Sequence, residues 1–244
     1  MSAWLLVALF VFLAYTIEAV TGFGSIVIAL SLSALLLPID TLLPVLVPLN
    51  IVMTGYLVAR HHRHIHGPTL LRLILPLMVV GTLAGYALRP WLSETLMHIL
   101  LGALVIWFAG RQLLQIRQGA IAQRHSRAWT RSWMLAAGIT HGLFASGGPL
   151  LVYALTGVEL EKARFRATLV TVWLVLNSLL TLVFLVDGTL VPALPRVAAL
   201  LPVLVLGVVA GEWLHGRVNE AVFRQLVLGL LLITGVILIL PLNA

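Results

Sequence analysis

The chain has 244 residues, of which 61% are hydrophobic and 9% charged, with a mean hydropathy of +1.11. A soluble domain carries roughly 25% charged residues, so the composition excludes a soluble globular domain, a disordered chain and a nucleic-acid module. Apolar runs long enough to cross a bilayer fill most of the length and point to a polytopic membrane protein. The net charge of +7 comes from 15 Lys+Arg against 8 Asp+Glu. In a membrane chain that excess reads as loops held on the cytoplasmic side. With no cysteine, disulfides, thiolate metal sites and cysteine nucleophiles are excluded.

The first apolar stretch runs from Ala3 to Leu37. As one helix it would be about 50 Å long, against a hydrocarbon core of about 30 Å. Thr21-Gly22-Phe23-Gly24-Ser25 lies near its middle and supplies a break. This predicts two pieces, 3–20 and 25–37. No positively charged segment precedes residues 3–20, so they read as retained structure and not a signal peptide. Spans follow at 41–58, 70–88 and 95–114. A polar, basic linker occupies 115–131. The stretch 132–157 is apolar but interrupted at Ala145-Ser146-Gly147-Gly148-Pro149. Spans at 166–186, 197–214 and 221–241 complete the chain. Apolar blocks of this length are helices, since barrel strands would alternate over shorter segments.

The halves repeat one another. Pro76, Gly81, Gly85 and Leu88 match Pro202, Gly207, Gly211 and Leu214 at one offset, 126. Asn50 matches Asn177, and Gly102 matches Gly229, at 127. The expected architecture is therefore all-α, with about eight transmembrane elements in two inverted repeats. Residues 1–114 form the first repeat and 132–244 the second, each opening with a broken or re-entrant helix.

The basic residues test the inversion. If each broken segment returns to the side it entered, Arg60, Arg63, Arg72, Arg111, Arg117, Arg124, Arg127, Arg131, Lys162, Arg164, Arg166, Arg217 and Arg224 share one side. Only Arg89 and Arg196 face the other, a split of 13 against 2. If each broken segment crosses once, the split is 9 against 6. The positive-inside rule favours the first arrangement and puts both termini in the periplasm. A pair of complete short crossings gives the same count. Inverted repeats with discontinuous helices are a recurring plan of secondary transporters.

Gly22-Phe23-Gly24-Ser25 in one half, and Gly142-Leu143-Phe144-Ala145-Ser146-Gly147-Gly148-Pro149 in the other, resemble the paired glycine-rich motifs of the sulfite exporter TauE/SafE family. That family is also called the toluene-sulfonate uptake permeases. The duplicated layout and the length fit it as well. Ser25 and Ser146 stand where the family is often richer in glycine. The resemblance implies a secondary transporter of small sulfur-containing anions, such as sulfite or organosulfonates, in the bacterial inner membrane. A small-anion channel, or a transporter of another small anion such as a carboxylate, is the alternative.

A helix broken inside the membrane exposes its first N–H groups and about half a positive charge. Half-helices starting near Gly24 and Gly148, pointed at the midplane, would make a donor-rich anion site without a formal cation. Thr21, Gly22, Phe23, Gly24 and Ser25 on one side, and Ala145, Ser146, Gly147, Gly148 and Pro149 on the other, are the candidate substrate-binding residues. Pro149 suits a first helical turn. Tight helix packing is the plainer role for these glycines. Asn50 and Asn177 sit mid-span, where an amide needs partners; they touch substrate, cap the broken helices or make helix–helix hydrogen bonds. Glu18 and His141 stand just before the breaks, and ionisable groups at that depth are candidates for proton coupling.

The run Arg60-His61-His62-Arg63-His64-Ile65-His66 reads as a solvated loop more readily than as a metal site, because adjacent arginines repel a cation. No metal, cofactor or enzymatic motif is indicated: the chain has no HExxH, no P-loop and no paired-aspartate motif. The expected partners are the anionic substrate and membrane lipid, with a homodimer left open and no nucleic acid.

Overall fold

The computed structural model describes residues 3–21, 24–118, 126–155, 161–215 and 217–240, and every regular element among them is helical. The elements are α1 (Ala3–Thr21), α2 (Ser25–Ser33), α3 (Ile39–His61), α4 (Leu75–Leu88), α5 (Glu94–Gln118), α6 (Arg127–Phe144), α7 (Gly148–Ala154), α8 (Lys162–Val186), α9 (Leu190–Leu214) and α10 (Glu220–Ile239). Among the described residues, 7 helical stretches are long and apolar enough to cross a membrane: all of these except α2, α6 and α7 contribute one. α6 has 18 residues but opens with Arg127 and Arg131, which lowers its hydropathy. Many large apolar side chains stay exposed, Leu182, Leu206, Leu226 and Ile233 among them, as lipid-facing positions must.

The helices start and stop for local reasons. α5 runs on to Gln118 and α6 starts at Arg127, so both ends of the expected 115–131 linker are helical. Ser126 caps α6 by accepting the Trp129 N–H at 3.3 Å. α2 stops at Ser33, short of the expected Leu37, ahead of Pro38. Pro76 has no N–H to offer the carbonyl one turn earlier, and the preceding Thr69–Ile74 relaxes into a π-helical turn. His61 and His62 each set Nδ1 about a hydrogen bond from a carbonyl at the end of α3, Leu57 at 3.0 Å and Ala59 at 2.9 Å. The histidine run thus finishes a helix at its carbonyl end.

The chain forms two compact units. One holds α1, α2, the first two turns of α3, α5, α10 and nearly all of α9. The other holds the rest of α3, α4, α6, α7 and α8. Each unit therefore draws helices from both halves of the sequence.

The paired glycines explain this exchange. In the second unit α4 lies along α6. A Cβ at Gly81 would meet the Leu135 carbonyl oxygen at 2.6 Å and the Gly138 Cα at 2.8 Å. A Cβ at Gly85 would overlap the Ile139 carbonyl, and one at Gly142 the Thr82 carbonyl. In the first unit α9 lies along α1 in the same manner. A Cβ at Gly207 would meet the Phe12 carbonyl oxygen at 2.7 Å, and one at Gly211 the Thr16 carbonyl oxygen at 2.5 Å. Thr16 Oγ1 adds a cross-helix hydrogen bond to the Gly207 carbonyl at 3.0 Å. In both pairs the contacting numbers rise together, so the helices run parallel. α5 and α10 pair antiparallel, with Gly102 against Gly235. Nε2 of His98 lies 2.9 Å from the Ala34 carbonyl and ties the end of α2 to α5.

Gly85→Ala is expected to lower the melting temperature in detergent by several degrees, the overpacking of a tight helix contact costing about 1–3 kcal/mol. Gly110→Ala, with nothing within 4 Å of an added Cβ, should be neutral or slightly stabilising, since alanine is the better helix former by about 1 kcal/mol. Equal shifts in the two variants, followed by thermal unfolding, would remove the packing explanation.

Candidate functional site

Each unit contains one of the two breaks. In the first unit α1 ends at Thr21, and Gly22 and Phe23 lie outside the described residues. Gly24 has φ 100, the left-handed conformation natural to glycine, and precedes α2. Ser25 and Glu18 are buried beside it. A small cleft of about 20 Å³ adjoins this break, lined by Ile17, Gly24, Ile28, Phe108, Arg224 and Leu231. Arg224 Nη2 donates to Gln112 Oε1 at 2.8 Å.

The second break is a tight reversal. The Ala145 N–H donates to the His141 carbonyl at 2.6 Å, and Ala145 takes φ 51, a left-handed value rare outside glycine. A Cβ on Gly147 would overlap the Ala137 carbonyl and stand 3.0 Å from the His141 Cβ, so the chain folds back over the last turns of α6. α7 then starts at Gly148-Pro149 and is two turns long. Ser146 Oγ donates to the Phe144 carbonyl at 2.8 Å. Its proton is committed to the turn, and the expected role as a substrate donor is not available to it in this conformation.

His141, Asn177 and Asn50 come together at this break. His141 and Asn177 are each 1% exposed and Asn50 4%. Asn177 Nδ2 donates to Asn50 Oδ1 at 2.8 Å, which bonds α8 to α3. The two repeat-equivalent amides therefore meet each other, the plainest of the roles read from the sequence. Asn177 is also the polar side chain that bears on the His141 ring. Neither His141 nitrogen, nor Asn177 Oδ1, has a well-formed hydrogen bond among the described residues. Three polar atoms at this depth without partners are unusual and mark a place for water or a ligand.

Trp173 completes the site and is not among the residues singled out from the sequence. Its ring stacks on His141, with centroids 5.8 Å apart and planes at 18°. Its benzo edge would stand 3.4 Å from a Cβ on Gly148. The available signal is position: a tryptophan in mid-span has no interfacial role, unlike Trp4, Trp91, Trp129, Trp133 and Trp213 near span ends. Arg224 was legible only as a loop charge, because its reach into a cleft depends on where α10 meets α5.

A multi-pass chain whose described elements are all helical, with two interruptions and buried polar groups beside a break, is a membrane transporter in architecture. Residues 7–238 match the family described as "Sulfite exporter TauE/SafE". The chain belongs to that family. It is 31% identical over 165 residues to the "Probable inner membrane transporter protein TsaS" of Comamonas testosteroni, covering 66% of this chain and 68% of that protein. It is 26% identical over 230 residues to the "Probable sulfite/organosulfonate exporter TauE" of Cupriavidus necator, covering 92% and 89% respectively. No solved structure matches the chain.

A double-mutant cycle of Asn50→Ala and Asn177→Ala, read from unfolding in detergent, should give a coupling of about 0.6 kcal/mol and no more than about 1.7 kcal/mol, the range for hydrogen bonds between membrane helices. Strict additivity would show that the amides do not act as a pair.

Proposed function

We propose that this chain is a secondary transporter of small sulfur-containing anions, such as sulfite or organosulfonates, across the inner membrane. The observation that carries the site is the buried group of His141, Asn177 and Asn50 at the α6–α7 break, whose imidazole has no well-formed hydrogen bond among the described residues. Family membership and the names of the two relatives support the substrate class. The imidazole offers a hydrogen-bonding nitrogen to an anion without a fixed cation. A lysine or arginine there would hold the anion too firmly to release it.

The repeats are inverted in this reading. Two parallel pairs support it, α4 with α6 and α9 with α1. Each joins repeat-equivalent helices to the opening helix of the other half. The charge split puts the His61–His66 loop in the cytoplasm and the α4–α5 connection in the periplasm. Both termini are then periplasmic. Alternating access is a rocking or shifting of one repeat against the other.

Glu18, buried three residues before the end of α1, is the candidate for a coupled proton. A carboxylate near an anion path is tolerated when protonated, so its proton travels with the anion.

His141→Phe in liposomes should cut sulfite transport by about 100-fold or more, the scale for losing polar recognition of a substrate. Wild-type rates from folded His141→Phe would sink the site. The chain has no cysteine, so single substitutions report sidedness cleanly. His64→Cys should react with an impermeant thiol reagent from the cytoplasmic side, and Ser93→Cys from the periplasmic side; labelling of both from one side would break the inverted arrangement. In Glu18→Gln the proton-to-sulfite ratio, measured with a trapped pH dye and a tracer, should fall by about one, as expected for one coupled carboxyl. An unchanged ratio would take Glu18 off the proton path.

A further inference from the structure

We infer that the His141 site takes its anion in the proton-bearing form: the monoanion of a weak oxyacid, such as hydrogen sulfite, in preference to the bare dianion or a sulfonate. This rests on the site assigned above and narrows its substrate.

The argument is one of donors and acceptors. Asn177 Nδ2 is committed to Asn50 Oδ1 at 2.8 Å, so the other atom of its amide, Oδ1, is what remains for the histidine. That oxygen has no well-formed donor among the described residues. The imidazole it bears on is the group able to supply one. A neutral imidazole has one N–H and one bare nitrogen. An acceptor on one side holds the N–H there and leaves the second nitrogen with its lone pair outward. Trp173 covers one face of the ring, so a guest reaches that nitrogen in the ring plane.

A lone pair in a desolvated site repels a fully ionised oxyanion. It accepts readily from an O–H. Hydrogen sulfite brings such a hydroxyl. A sulfonate has a carbon substituent where that hydroxyl would be and offers no donor. The balance is simple. The substrate O–H and the ring nitrogen share one proton, and the complex carries one negative charge wherever that proton rests. No covalent bond beyond this O–H is made or broken, and nothing is oxidised.

No other charged group near the ring offers this chemistry. α4 carries no Asp, Glu, Lys or Arg, and α7 has only Tyr153 as a titratable group, set edge-on against the Trp133 ring. Tyr86 of α4 donates to the Asp187 carboxylate at the far end of α8. On α8 itself Lys162, Arg164 and Arg166 lie about 10 Å or more along the axis from Trp173, and on α6 Arg127 and Arg131 lie about 15 Å or more from His141. On α3 the ionisable Asp40, Arg60 and His61 are about 15 Å along the axis from Asn50, and Tyr56, which accepts from Arg60, is about 9 Å away.

The test compares sulfite with methanesulfonate in liposomes carrying the purified full chain. Initial rates are taken at low, fixed total concentration, across the pH range where sulfite loses its last proton. Sulfite transport should fall about tenfold per pH unit once the dianion predominates, following the monoanion. Methanesulfonate should be slower by about 100-fold or more, with a flat profile. His141→Gln, which can turn an amide N–H toward the guest, should raise the methanesulfonate rate and flatten the sulfite profile. Comparable wild-type rates for the two anions with the same flat profile would overturn the inference, while an inactive His141→Phe would leave the site in place. If His141→Phe moves sulfite as the wild type does, the site fails and this inference with it.

Discussion

Hydrocarbon gives two helices no hydrophobic reason to pair, because lipid tails are as apolar as the side chains they would displace. Close approach of backbones is what remains, together with the few hydrogen bonds it allows. Gly81, Gly85, Gly138 and Gly142 bring α4 and α6 to that distance, and Gly207 and Gly211 do the same for α9 on α1. The opening helix of each half is thereby held by a helix of the other half. The breaks, and the polar groups near them, depend on this. A helix that ends inside the membrane must have its loose end fixed by neighbours, since no water is there to take it over.

The second break shows how the constraint becomes chemistry. The chain folds back at Ala145 and Gly147 over the last turns of α6, with His141 buried beside the reversal. Asn50 and Asn177 satisfy half of each other and leave an oxygen over for the ring. The arrangement is polar but carries no fixed charge, and Trp173 shields it on one face.

Much of this was legible from residue order. The span positions follow from apolar block length, and both breaks from glycine-rich interruptions in stretches too long for one crossing. The Gly81/Gly85 and Gly207/Gly211 pairs were readable as packing faces because spacing by four puts small residues on one side of a helix. Asn50 and Asn177 stood out as amides at equivalent depth. A hydrogen bond between helices was one of three readings, and only the placement of α3 against α8 makes the two amides each other's partners. Trp173 and Arg224 escaped notice for the same reason. A side chain's partners across helices are set by crossing geometry, which a hydropathy profile does not contain.

The amino-acid order alone determined the medium, the helical class and the family, because these depend on composition, block length and motif spacing along one chain. Tertiary structure decided that the sequence halves exchange helices between two units. It also decided that Ser146 spends its hydroxyl on its own turn, and that one imidazole, two amides and an indole form a single buried group. Those outcomes depend on distances between residues far apart in the chain. Such distances are fixed only when backbones pack.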